Sequence, residues 1–177
     1  MISIRPATHA DSEILGIIGP AAYAAAYSYL WRDPAALAEH LESFGPAGVA
    51  AFLSQPGARI WLAEHAERAI GFLSLLPNSP EPVATTPHGA EIPRIFLLPG
   101  ARGKGVGQRL LAPAREAAQE AGASYLWLDA MASADWAIGA YRKWGFTPAG
   151  STVFAKPVDP DLAKMVVMTL PLTRAGG

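Results

Sequence analysis

Cysteine is absent from the 177 residues, which removes disulfide frameworks, thiolate nucleophiles, iron–sulfur clusters and cysteine-based zinc sites together. Charge is sparse: 14 Lys and Arg stand against 15 Asp and Glu, for a formal net charge of −1, and the cations are scattered. That balance gives no basic field, so nucleic acid is not expected as a partner. No run of about 18 apolar residues occurs that would span a bilayer. The opening MISIRPATHADSEI has no long apolar segment ahead of its charges and no cleavage-like site. No membrane association is expected, and the protein is read as soluble and cytoplasmic. Four histidines, His9, His40, His65 and His88, stand far apart, without the spacing that sets two ligands on one helical face. They are expected on the surface or in loops, and no metal is expected.

What is present is apolar mass. With 51% hydrophobic residues, the chain has enough for one sizeable core, so residues 1–177 are expected to form a single domain. Ile2 and Ile4 alternate with polar neighbours and suit a first strand ended by Pro6. A helix follows, capped at Thr8 or Asp11, with Gly19-Pro20 expected to kink or split it. Asp33-Pro34 starts another helix, and Pro46 to Leu53 a short third. The runs ARIWLAEH and RAIGFLSLLP read as a hairpin, Asn78 to Gly89 as a loop, and EIPRIFLLP as the next strand. From Val106, the residues Val106, Leu110, Ala114, Ala117 and Ala121 share a helical face that Pro113 should bend and Gly122 should end. SYLWLDAM is a strand, SADWAIGAYRKWGF a helix stopped at Gly145, and two strands near 147–155 and 165–172 complete a mixed α/β order.

Between the apolar run and the helix lies LLPGARGKGVGQRLL, residues 97–111. A strand leading through a glycine-rich turn into a helix aims free amides at one spot, where the helix dipole adds partial positive charge. Gly103, Gly105 and Gly107 let a bulky anion approach the backbone, with Arg102 and Lys104 at the rim, so the turn is read as a phosphate site. A nucleotide-binding Walker loop does not fit: GARGKGV is too short and lacks the Ser or Thr that holds magnesium. A dinucleotide fingerprint fits poorly, because GKGVG lacks the last interval and the preceding runs look antiparallel.

The spacing Arg-x-x-Gly-x-Gly after RIFLLP resembles the GNAT family of N-acetyltransferases. The resemblance implies a mixed, strongly bent central sheet of about seven strands flanked by about four to five helices. It also implies acetyl-coenzyme A as co-substrate. Leu97 would then offer its backbone to the pantetheine arm, and Arg102, Gly103, Lys104, Gly105, Val106, Gly107 and Gln108 would surround the pyrophosphate. A second block, AIGAYRKWGF, is similar to the family segment in which an alanine and a tyrosine precede Gly-Phe. By that likeness Tyr141 is the general acid that protonates the leaving thiolate; a phenol's pKa near ~10 is close to that of an alkyl thiol. Where many members carry a cofactor-binding asparagine this chain has Ala134, and Lys143 is the candidate replacement contact.

Glu91 stands three residues before Arg94 as in a family pattern, which makes it the candidate base acting through a water, or else a partner for Arg94. Pro93 calls for a bulge or a local edge in that strand. The layout is also loosely similar to the polyamine acetyltransferase branch, which implies a small amine as acceptor. Tyr27, Tyr29 and Trp31 are then candidates for a pocket whose ring faces attract an ammonium. With no cysteine to carry the acetyl group, direct attack in a ternary complex is expected. A non-catalytic acyl-coenzyme A sensor, made credible by Ala134, and a peptide or protein N-acetyltransferase are the alternatives. A homodimer is a family expectation only.

Overall fold

A computed structural model describes residues 1–173. Seven strands form one sheet in the order β1-β2-β3-β4-β5-β7-β6. The described residues cluster into two compact units, Met1–Leu75 with Arg94–Ala114, and Leu76–Pro93 with the described residues from Arg115 onward. The division falls within β4 (Gly89–Leu97) and within α4 (Val106–Glu120).

The first unit holds β1 (Ile2–Pro6), α1 (Ser12–Tyr27), α2 (Pro34–Glu42), α3 (Pro46–Leu53), β2 (Arg59–His65) and nearly all of β3 (Arg68–Leu76). β1 and β2 pair antiparallel with Ile4 opposite Ala63, and β2 pairs β3 with Leu62 opposite Phe72. The β2–β3 hairpin closes through Ala66 and Glu67, both with positive φ (48° and 59°), the mirror-image turn whose twist suits a two-residue connection. Leu15, Ile18, Val49, Ile60, Leu62 and Phe72 form the core of this unit. Gly16 lets α1 approach α3, because a Cβ there would lie 2.5 Å from Pro46.

Of the kink or split expected at Gly19-Pro20, the split does not occur: α1 continues through both residues. Pro20 removes one amide, but Leu15 and Ile18 before it and Ala22 and Tyr23 after it are all buried, so packing on both sides outweighs the lost bond. Likewise α4 continues through Pro113, with Leu110, Leu111 and Ala114 buried around it. Ala121, expected on the inner face, is exposed: the helix ends at Glu120, where Gly122 (φ +84°) turns the chain.

The second unit contains β5 (Tyr125–Met131), α5 (Asp135–Lys143), β6 (Thr147–Val153) and β7 (Lys164–Pro171). β7 pairs antiparallel with both β5 and β6, and Leu128 faces Met168 in the first of these ladders. β4 begins two residues earlier than the apolar run suggests, because Gly89 and Ala90 pair with Tyr125 and Leu126 and are buried. Only glycine fits at the first of these positions, where a Cβ would lie 2.5 Å from the Tyr125 hydroxyl. Parallel pairing of β4 with β5 covers three residue pairs and ends at Glu91 opposite Trp127. Pro93 therefore falls beyond that ladder, and its missing amide breaks no bond to β5.

Candidate active site

In the first unit β4 ends at Leu97 and the chain enters the glycine turn. β3 comes close here: a Cβ on Gly71 would sit 2.4 Å from the Leu97 side chain and 2.7 Å from the Phe96 carbonyl oxygen. Gly100, Gly103 and Gly105 all have positive φ (+85°, +73° and +74°), and nothing lies within 4 Å of the position a Cβ would take at any of them. The first i→i−4 bond into α4 runs from the Arg109 amide to Gly105 O at 3.1 Å. Val106, Gly107 and Gln108 therefore carry the first-turn amides, which have no acceptor one turn back. Val106 and Gly107 are buried, Gly103, Lys104, Gly105 and Gln108 are exposed, and Arg102 is half-buried. An open, left-handed glycine backbone leading into first-turn amides is a cradle that side chains would fill, and it fits a diphosphate.

In the second unit Tyr141 and Lys143 share α5. The helix closes in a Schellman arrangement: the Phe146 amide donates to Tyr141 O at 3.0 Å and the Gly145 amide to Arg142 O at 3.0 Å, with Gly145 at φ +99°. This local geometry requires glycine before phenylalanine. Phe146 is fully buried, and its ring and that of Trp144 pack against Tyr141 at 6.1 and 5.4 Å. Tyr141 is itself 8% exposed, whereas Lys143 is exposed in the last turn of the helix. Ala134 is buried at the N-cap, and its carbonyl accepts from the Ala137 and Ile138 amides at 3.0 and 3.1 Å.

Glu91, also in this unit, is half-buried. Its Oε2 accepts from the Ser79 hydroxyl at 2.8 Å. Burial raises the Glu91 pKa above the usual carboxylate range, the Ser79 bond pulls it back, and the charge of Asp129 raises it further. A carboxylate raised in this way is a better base near neutral pH. Ser79 is fixed by its backbone: its amide donates to Gly89 O at 3.0 Å and its carbonyl accepts from Trp127 Nε1 at 2.7 Å. Asn78 to Gly89 read as an unpatterned loop; β4 already starts at Gly89, and polar contacts order the residues before it. The buried Glu81 carboxylate accepts from the amides of Val83, Ala84 and Thr86, and the Tyr125 hydroxyl donates to Thr86 O.

Back in the first unit, Tyr27 is half-buried with its ring 5.3 Å from that of Tyr23. Trp31 Nε1 donates to the Tyr23 hydroxyl at 3.1 Å, and its ring stacks on His40 at 4.9 Å. Tyr29 is exposed. His40 corrects the surface expectation: it is half-buried, edge-on to both Tyr23 and Phe44 at 4.9 Å. His9, His65 and His88 are exposed as expected. Neither Ser79 nor the aromatic set of Tyr23, His40 and Phe44 was signalled by motif or spacing.

Among the described residues no helix is long and apolar enough to cross a membrane. The family model described as the acetyltransferase (GNAT) family matches residues 23–146. An uncharacterized N-acetyltransferase of Mycobacterium tuberculosis is 30% identical over 139 residues, which cover 76% of this chain and 85% of that protein. Streptothricin acetyltransferase of Streptomyces lavendulae is 45% identical over 56 residues, 32% of this chain and 30% of the relative. The crystal structure of the PaiA N-acetyltransferase from Thermoplasma acidophilum in complex with coenzyme A superposes with a TM-score of 0.74 at 18% identity, covering 97% of this chain and 99% of the other. The chain belongs to the GNAT family of acetyltransferases and is an acetyl-coenzyme A-dependent N-acyltransferase.

Proposed function

We propose that the enzyme acetylates a small molecule bearing a primary amine, with the residues 102–108 holding the pyrophosphate of acetyl-coenzyme A and Tyr141 as general acid. The observation that carries this reading is the pair Gly103 and Gly105, left-handed and open, directly ahead of the unshared amides of Val106, Gly107 and Gln108. Arg102 and Lys104 add charge at the rim, and Leu97 offers its backbone to the pantetheine arm. Lys143, exposed at the end of α5, is a candidate further contact to the co-substrate.

Bound acetyl-coenzyme A supplies the thioester carbonyl that the amine attacks and the thiolate that departs. Glu91, held by Ser79, takes the proton the ammonium must lose, through a water, and the Tyr141 phenol gives its proton to the departing sulfur. No side chain carries the acetyl group, so acceptor and co-substrate are bound together. Tyr27 and Trp31 offer ring faces to the body of the acceptor. A small-molecule acceptor is supported by the relative named for streptothricin, and polyamines are one class to be tried.

Thiol release from acetyl-coenzyme A with a panel of amines tests the proposal. Turnover that depends on the amine, and that falls sharply in Tyr141→Phe, is the expected result. Tight binding without release for every amine would overturn it.

A further inference from the structure

Arg94 is a half-buried cation without an acid partner among the described residues of its unit. It lies on β4 with its guanidinium carbon 4.4 Å from the centroid of the Phe44 ring. Among the described residues of its own unit no carboxylate lies within ion-pair distance of it and no oxygen accepts from its guanidinium; its own carbonyl accepts from the Ser74 hydroxyl at 3.4 Å. Elsewhere in this unit Asp11 and Glu64 pair with Arg5, and Asp33 accepts at the N-terminus of α2. Burial accordingly lowers the Arg94 pKa, with no opposing contribution from a neighbouring charge.

The surroundings are aromatic. Phe44 packs against Tyr23, His40 and Phe96 at 5.1, 4.9 and 5.5 Å, and Trp31 lies over His40. Arg94 and Phe96 stand two residues apart in one strand and so point to the same face of the sheet. A guanidinium stacked on a ring keeps the edge that bears its N–H donors for a planar anion, and that fork matches a carboxylate in two parallel bonds. Taking such a cation partly out of water without a counter-ion is costly, and a ligand that brings the missing charge recovers the cost.

We infer that Arg94 binds a carboxylate carried by the acceptor, so that the preferred substrate is an amino-acid-like amine with an apolar or aromatic body rather than a polycation. This rests on the acetyltransferase reading above and narrows it: di- and polyamines bring only like charge to Arg94. The half-buried Phe96, on the same strand face as Arg94, takes the body of the molecule, and Arg94 its anionic end.

Paired acceptors that differ only in the carboxylate, phenylalanine and phenethylamine, test the inference by thiol release, with spermidine as the polycation. Wild type is expected to favour phenylalanine by roughly tenfold or more in kcat/KM. Arg94→Gln should abolish that preference, and Arg94→Lys should restore part of it. Calorimetric titration of the product analogue N-acetylphenylalanine should show binding to wild type and its loss in Arg94→Gln, while both bind acetyl-coenzyme A alike. Equal use of the two acceptors by wild type, or an unchanged preference in Arg94→Gln, would overturn the inference and leave the acetyltransferase reading standing. If no amine releases thiol, that reading fails, and the calorimetric comparison alone decides whether Arg94 is a carboxylate site.

Discussion

The Ser79 hydroxyl donates to Glu91 Oε2 at 2.8 Å, while the Ser79 carbonyl is held by Trp127 Nε1 at 2.7 Å. The bond therefore acts from a fixed point, and it lowers a pKa that burial and Asp129 raise. Ser79→Ala removes the lowering contribution alone. The acidic limb of kcat/KM, which rises as Glu91 loses its proton, is expected to move to higher pH in this variant. A limb that stays in place or moves to lower pH would separate Glu91 from the reaction. The same raised pKa makes Glu91 favour the folded state below the ordinary glutamate value, and that contribution is lost as pH rises through the folded one.

Glu81 organises the loop that carries Ser79. Burial opposes ionisation, but the amides of Thr86, Ala84 and Val83 outweigh it and hold the carboxyl below the usual range. Its contribution to stability is thus present above the ordinary glutamate pKa and lost as pH falls through the folded value. Glu81→Ala leaves those amides without their acceptor and should cost roughly 2–4 kcal/mol, read from denaturant midpoints. A loss of activity in the same variant at temperatures where it remains folded would show that the loop positions Glu91.

Tyr141→Phe keeps the rings of Trp144 and Phe146 packed and removes only the hydroxyl. The chemical step should slow by about 10²-fold or more, the usual worth of a positioned proton donor. Wild-type kcat in this variant would remove Tyr141 from the mechanism.

Gly71→Ala tests the approach of β3 to the end of β4. The added methyl meets the Phe96 carbonyl oxygen at 2.7 Å, which the side chain of Leu97 cannot relieve by moving. Destabilisation of about 1–3 kcal/mol is expected, as for other overpacked sites, and with it a higher KM for acetyl-coenzyme A. A neutral substitution would contradict the role given to the backbone around Leu97.

What was legible in the sequence is what short-range geometry dictates. Gly103 and Gly105 mark left-handed backbone before a helix, Gly145-Phe146 marks a helix end, and Asp33-Pro34 marks a start whose carboxylate does accept from the Ala35 amide at 2.9 Å. Contacts between distant residues were not legible. Glu91 with Ser79 and Arg94 with Phe44 join positions 12 and 50 residues apart, and nothing in the local spacing signals either pair. His40 was misplaced for the same reason: within AALAEHLE it reads as one more polar residue of a surface helix, and only the fold brings Trp31, Tyr23 and Phe44 around it. Pro20 shows the opposite failure: the local rule that would split α1 there yields to packing.

The central claim is that the backbone of residues 102–108 holds the diphosphate of the co-substrate. Calorimetric titration of acetyl-coenzyme A into wild type and into the double variant Gly103→Ala, Gly105→Ala tests it most directly. The two methyl groups meet open space, so the fold should survive, but each forces an L-residue into left-handed backbone at about 1 kcal/mol. Binding weakened by roughly tenfold or more is the predicted result; an unchanged affinity would contradict the account.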